Sequence, residues 1–410
     1  MTVHHGDPRG AFSLSTPARF DGRDHQRAPH TLHVAGDVIA AHGQAGAPHL
    51  DLSARDVTLL PGLIDAHVHL AISHSDLTEQ ALPPGSHMLR MARNARAQLR
   101  AGVTTVRDLG APDGLDLQLR QAFDEGLALG PRYLVAGTPI VTVDGHCAFM
   151  GLQVDGVRAA RRATERLIDE GVDWVKLMVT AGLSTPGAGP ADQQLAPDVI
   201  AAVVEVAHAA GVPVAAHAVA GPGVRAAVGA GVDSLEHGYW LDAATIRTMV
   251  ERGTTLVPTR TVVRLVAEGI AVAGVRPPAH VQATARRAEE VHASSVRRAY
   301  EAGVAIVAGT DYCHGSLPLE IQLLAAAGLT PNDALRAATA GAARLLRRDD
   351  IGTLAPGAKA DLLVVRGDPL RDPRSLDEAL LVVHGGRVVL VHPDLGVPAV
   401  GALGFDDDGG

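Results

Sequence analysis

From about residue 60 to residue 346 the chain repeats one unit: a short β-branched run, an alanine-rich amphipathic stretch, a Gly-Val pair, then the next run. Strands that alternate with helices in this way are read as parallel βαβ units rather than as a sandwich. The spacing predicts eight strands: Leu60–Val68, Thr104–Asp108, Tyr133–Thr138, Val172–Met178, Val212–His217, Ser234–His237, Thr254–Pro258 and Val304–Asp311. Helical periodicity lies between them, as in Val157–Glu170 and Val199–Ala210. Gly102, Gly171, Gly211, Gly231, Gly253 and Gly303 sit where helix C-caps belong. The expected fold is α/β, a (β/α)8 TIM barrel, and 410 residues accommodate one with a small satellite. A doubly wound open sheet is the alternative, but no Gly-rich dinucleotide fingerprint follows the first strand.

The two flanks abandon this period. Thr31–Ala35, Ala360–Val365 and Gly386–Leu390 alternate as hairpin strands do. The simplest arrangement joins both chain ends in one small β-sandwich beside the barrel. The expected organisation is 1–58 for the first part of the sandwich and 59–348 for the barrel. Residues 349–395 complete the sandwich, and 396–410 form a flexible acidic tail.

Composition narrows the partners. The net charge is −9, and no basic stripe with interleaved aromatics suggests nucleic acid. No run of some 18 apolar residues offers a membrane span. The first eight residues lack the apolar core of a signal peptide, and Cys147 and Cys313 make no disulfide framework. These features fit a cytoplasmic protein acting on a small molecule, with a homo-oligomer left open.

Among 36 basic residues only Lys176 and Lys359 are lysine. A lysine kept in such a chain is a candidate for work that arginine cannot do, because arginine stays protonated while a buried lysine can become a nucleophile. Lys176 lies in the apolar run Trp174–Thr180, where a bare ammonium is costly. It is therefore either paired or chemically changed. His67 and His69 close the first predicted strand, and period-2 geometry points both imidazoles to one side. His217, His237 and Asp311 end three further strands. Catalytic residues of a barrel come from the C-terminal ends of several strands. Imidazoles and a carboxylate converging there suit Zn²⁺, with Mn²⁺, Fe²⁺ or Co²⁺ as competitors.

The runs PGLIDAHVHL (61–70), TTVRDLG (104–110), WVKLMVT (174–180), AAHA (215–218), SLEHG (234–238), AGTD (308–311) and IGTLAPGAKADLLVV (351–365) resemble the amidohydrolase superfamily. The likeness is to its imidazolonepropionase-related branch, which includes Xaa-Pro and Xaa-Arg dipeptidases. The resemblance implies two divalent ions: one held by His67, His69 and Asp311, the other by His217 and His237. Lys176, carboxylated by CO₂ to a carbamate, would bridge them. It further implies that a hydroxide between the ions attacks an amide carbonyl, with Asp311 moving the proton to the leaving amine. His146 would steady the carbonyl oxygen, and Lys359 would be structural.

The substrate expected on this basis is an N-acyl amino acid or a dipeptide-like molecule. Rival readings are hydrolysis of a lactam, lactone or carbamate, a mononuclear deaminase, and a non-catalytic barrel scaffold. Phe149, Tyr239, Trp240 and Tyr312, four of eleven aromatics, follow predicted site residues and are candidates for a pocket wall. Tyr239 is further a candidate for a hydrogen bond to a substrate carboxylate. Arg260, after the seventh strand, is a candidate partner for an anionic substrate group.

Overall fold

The computed structural model describes residues 10–72, 83–185, 187–270 and 276–396. The amino-terminal stretch read for targeting lies outside these residues, as does the acidic tail beyond Gly396. Seven parallel strands follow the predicted order: β1 Leu63–Val68, β2 Val103–Asp108, β3 Arg132–Val135, β4 Val175–Met178, β5 Val214–Ala218, β6 Ser234–His237 and β7 Thr255–Val257. β3, β2 and β1 form one sheet, while β4 to β7 form another that is extended by the short strands Ile140–Thr142 and Leu152–Val154. The sheets meet where Asp173 N and Trp174 N donate to Val135 O at 2.9 and 3.3 Å. On the opposite flank the segment 304–311 runs between β7 and β1. Val307 N donates to Leu256 O at 3.0 Å, and Ala66 N donates to Ala308 O at 3.0 Å. The arrangement is TIM-barrel-like.

Two expectations change in detail. The segment 304–311 is not a regular strand; it makes a parallel bridge at Ile306, and Tyr312 just beyond it makes another. Its N–H groups are divided between the flanking strands, where Asp311 N donates to His67 O at 2.7 Å, and partners outside the ladder. Ala308 N donates to Ala337 O at 2.9 Å, and Thr310 N to Asp65 Oδ1 at 3.0 Å. The predicted first strand also splits. Val57–Pro61 pairs antiparallel with Leu362–Arg366, and only after Gly62 does the chain enter β1. A Cβ on Gly62 would lie 2.1 Å from Thr104 Oγ1, so the crossing between sheets needs a glycine.

The helices between strands bury one stripe each. Helix Gly156–Asp169 buries Ala160, Ala163 and Leu167, and helix Pro197–Ala209 buries Ile200, Val203 and Ala207. This i, i+3, i+7 spacing is what a single inward face requires. Ends are capped by sequence: Asp242 accepts from Thr245 N at 2.7 Å, and Gly253 closes the same helix at φ 72°.

Both chain ends build the remaining sheets. One has four strands, 38–40, 30–35, 11–16 and 49–51 in spatial order; the other has six, 387–391, 379–384, 362–366, 57–61, 18–20 and 25–26. Phe12, Leu14 and Leu32 from the first share an apolar cluster with Leu59, Leu362 and Leu381 from the second. Lys359 donates from Nζ to Asp37 Oδ2 at 2.8 Å in this region. Among the described residues no helix is long and apolar enough to cross a membrane.

Candidate metal centre

The C-terminal ends of the parallel strands bring six predicted groups to one buried floor. Asp311 Oδ1 lies 3.4 Å from His67 Nε2 and 3.5 Å from His69 Nε2. Asp311 Oδ2 lies 4.0 Å from His237 Nδ1. Ligand atoms of His67, His237 and Asp311 all fall within 4.8 Å of one another. Lys176 Nζ is 3.4 Å from His67 Nε2, and the His217 and His237 rings are 4.5 Å apart.

Strand geometry explains most of this convergence. Lys176 pairs with Ala215 and Met178 with His217, so the ladder sets Lys176 one inward position below His217. His237 needs a further device. Its neighbour Glu236 already faces the interior, since it accepts from His67 Nδ1 at 2.8 Å. Consecutive residues of an extended strand face opposite ways. His237 takes φ 73°, which turns its ring back toward His67 at a centroid distance of 5.4 Å. Asp144, Cys147, Asp311 and Thr259, the last bonded to His237, also have positive φ, at 54°, 58°, 51° and 54°. Such non-glycine conformations cost about 1–3 kcal/mol each and persist where the surroundings impose them.

Groups behind the histidines fix their rings. His67 Nδ1 is held by Glu236, His69 Nδ1 donates to Gly110 O at 2.9 Å, and His237 Nδ1 meets Thr259 Oγ1 at 2.7 Å. Tying Nδ1 back leaves Nε2 of each ring as the ligand atom, the usual support of a metal-binding imidazole. His217 Nε2 is buried with no hydrogen-bond partner. An orphaned buried nitrogen is costly in a finished core and is satisfied by a coordinated ion. Burial pushes His217 well below the ordinary imidazole value, with His146 and His237 adding to the effect. Burial does the same to His237 against the pull of Asp311. Neutral imidazoles beside a carboxylate are the donor set a divalent ion requires. Burial brings Lys176 down to about 8, against the opposing charges of Glu236 and Asp311. The residues present therefore fit divalent metal.

Sequence reasoning missed the layer beneath. Arg107 is fully buried in β2. It donates from Nε to Ala66 O at 2.5 Å, from Nη1 to Ser234 Oγ at 3.0 Å, and from Nη2 to Glu236 Oε1 at 3.0 Å. Its guanidinium carbon lies 4.3 Å from the centre of the Trp174 ring. Burial works to raise Glu236, yet Arg107 and His67 outweigh it and hold the carboxyl well below its usual range. The available signal was an arginine in the apolar run Thr104–Gly110, the same oddity that marked Lys176.

A cavity of about 330 Å³ opens above the floor, within the range of small-molecule sites. His146 lines it; its Nδ1 lies 2.8 Å from Thr185 Oγ1, and its ring 4.5 Å from that of His217. Tyr239, Phe149 and Cys147 line it as well, whereas Trp240 and Tyr312 do not. Arg260 does not reach it. Its Nη1 donates to Leu323 O at 2.6 Å, and the residue borders a separate surface pocket with Arg264 and Glu289. Its place at the start of helix Arg260–Glu268 turns it into that helix packing. Cys313 is buried and free.

This architecture is shared. Ochratoxinase from Aspergillus niger is 29% identical over 400 residues, covering 87% of this chain and 82% of that protein. Imidazolonepropionase from Anaeromyxobacter dehalogenans is 30% identical over 404 residues, covering 86% of each. The crystal structure of a Xaa-Pro dipeptidase with methionine bound in its active site superposes with a TM-score of 0.84 at 28% identity, covering 92% of this chain and 99% of that one. The profile of the amidohydrolase family matches residues 58–389, and with the strand-end histidines on the page the conclusion is direct: the chain belongs to the amidohydrolase family.

Proposed function

We propose that this protein is a binuclear metal-dependent hydrolase that cleaves an amide bond of a small molecule, in the cytoplasm. His67, His69 and Asp311 would hold one divalent ion and His217 and His237 the other. Lys176 would bridge them as a carbamate, and zinc is the first candidate metal. In this reading the parallel strands and segment 304–311 work as a closed (β/α)8 barrel, and the terminal sheets as its β-sandwich. The carrying observation is the orphaned Nε2 of buried His217 beside His237, on a floor where Lys176, among the described residues, makes no ion pair and has its one hydrogen bond with His67 Nε2.

Bound ions supply a Lewis acid for the carbonyl oxygen and bring the pKa of coordinated water toward neutrality. The remaining work falls to side chains. The Lys176 ammonium would lose one proton to give the amine; the amine nitrogen would then add CO₂ and release a second proton, which turns a buried cation into an anion with two oxygens. Asp311 accepts a proton from water at the floor and returns it to the leaving nitrogen. His146, fixed by Thr185, holds the carbonyl oxygen as charge develops on it. Tyr239 contacts the substrate from the opposite wall.

Hydrolysis of a panel of amides, before and after chelation, tests the reading. Turnover that disappears with the metal and returns on adding zinc is expected. A fully metal-loaded protein that cleaves no amide in a broad panel contradicts it.

A further inference from the structure

Two chemistries divide the cavity. Its floor holds the histidines, Lys176 and Asp311, while its walls include Phe149, Leu183, Val219, Val262, Val266 and Val281. Val262 and Val266 stand one turn apart on helix Arg260–Glu268, and Val281 begins the helix Ala279–Glu301 that packs against it. Among the described residues lining the cavity, Lys176 is the one lysine or arginine, although the chain has 36 such residues. The charged side chain away from the floor is Asp144, an exposed carboxylate that repels anions. The wall also carries three hydroxyls: Thr185, which meets His146 Nδ1, Tyr239, whose oxygen interacts with Thr259, and Ser184; all are uncharged.

A free carboxylate on the substrate would meet apolar walls, and burying an unpaired charge is strongly unfavourable. Turning it toward the floor would place it where the scissile carbonyl must sit. We propose that the cavity selects amides whose substituents are uncharged and apolar, and that it disfavours the free α-carboxylate of dipeptides and N-acyl amino acids. This rests on the hydrolase reading above and narrows its substrate class.

The test compares N-hexanoyl-L-phenylalanine with N-hexanoyl-phenethylamine, which differ only by the carboxylate, on the metal-loaded enzyme. The neutral compound is expected to have a kcat/KM at least about tenfold higher. In Val281→Arg, which puts a cation on the wall, the ratio is expected to shrink by a similar factor. Equal or better turnover of the acid by the unmodified enzyme overturns the inference and leaves the hydrolase reading standing. If neither compound is cleaved, the hydrolase reading fails for this pair, and calorimetric binding of the same two compounds decides the selectivity. Tighter binding of the neutral compound supports it; any other binding result overturns it.

Discussion

Arg107 and Lys176 pose the same physical problem, a cation buried in an apolar strand, and the protein resolves them differently. Arg107 is paired with Glu236, hydrogen-bonded to Ala66 O and Ser234, and packed on Trp174. Among the described residues Lys176 has one hydrogen bond, with an imidazole. Breaking a buried pair by neutralising one partner costs about 3–5 kcal/mol. Glu236→Gln should lose stability of that order in denaturant unfolding, and a loss below about 0.5 kcal/mol would show that Arg107 does not depend on it. His146 lines the cavity, with its ring as near to that of His217, at 4.5 Å, as the His237 ring is. His146→Ala should lower kcat by about 10²–10³-fold with metal content unchanged; loss of metal instead would make it a ligand. Lysine scarcity made Lys176 legible in the sequence. Arg107 stood out only as a cation in an apolar run, and its pairing with Glu236 was not legible, because the two lie 129 residues apart on different strands.

At the scale of elements, the strands place the site and the departures from regularity finish it. The period-2 rule foresaw His67 and His69 on one side, and both reach Asp311. It could not foresee His237, whose φ of 73° breaks the alternation, nor the irregular segment 304–311, whose N–H groups turn to Ala337 O and Asp65. Both depend on tertiary partners distant in sequence. Helix Arg260–Glu268 shows the same dependence. Buried Glu320 accepts from Arg260 N at 3.0 Å and from Thr261 N at 2.7 Å, satisfying the helix's first amides. Burial raises Glu320 from its ordinary 4.5 to about 7. The folded chain then keeps a proton between those values that the unfolded chain has lost, so this group makes stability fall as pH rises through that window and level off above it. Glu320→Gln should flatten that part of the unfolding free energy against pH; an unchanged slope would contradict the assignment.

Across the whole molecule, the chain ends are joined by an apolar cluster that links Phe12 and Leu14 to Leu362 and Leu381. Alternation in the flanks made those strands legible, but not the partner of Val57–Pro61, since register is set by contacts some 300 residues away. The terminal sheet and the TIM-barrel-like unit are continuous through Gly62, where one strand hands over to the next. Six strand-end groups form one floor, and the account turns on what Lys176 does within it. The most direct measurement is the metal content per chain of protein prepared with bicarbonate, taken for the unmodified enzyme and for Lys176→Arg. Two ions per chain are expected in the first and loss of at least one in the second, because arginine cannot carry the proposed carbamate. Two ions retained by Lys176→Arg would contradict it.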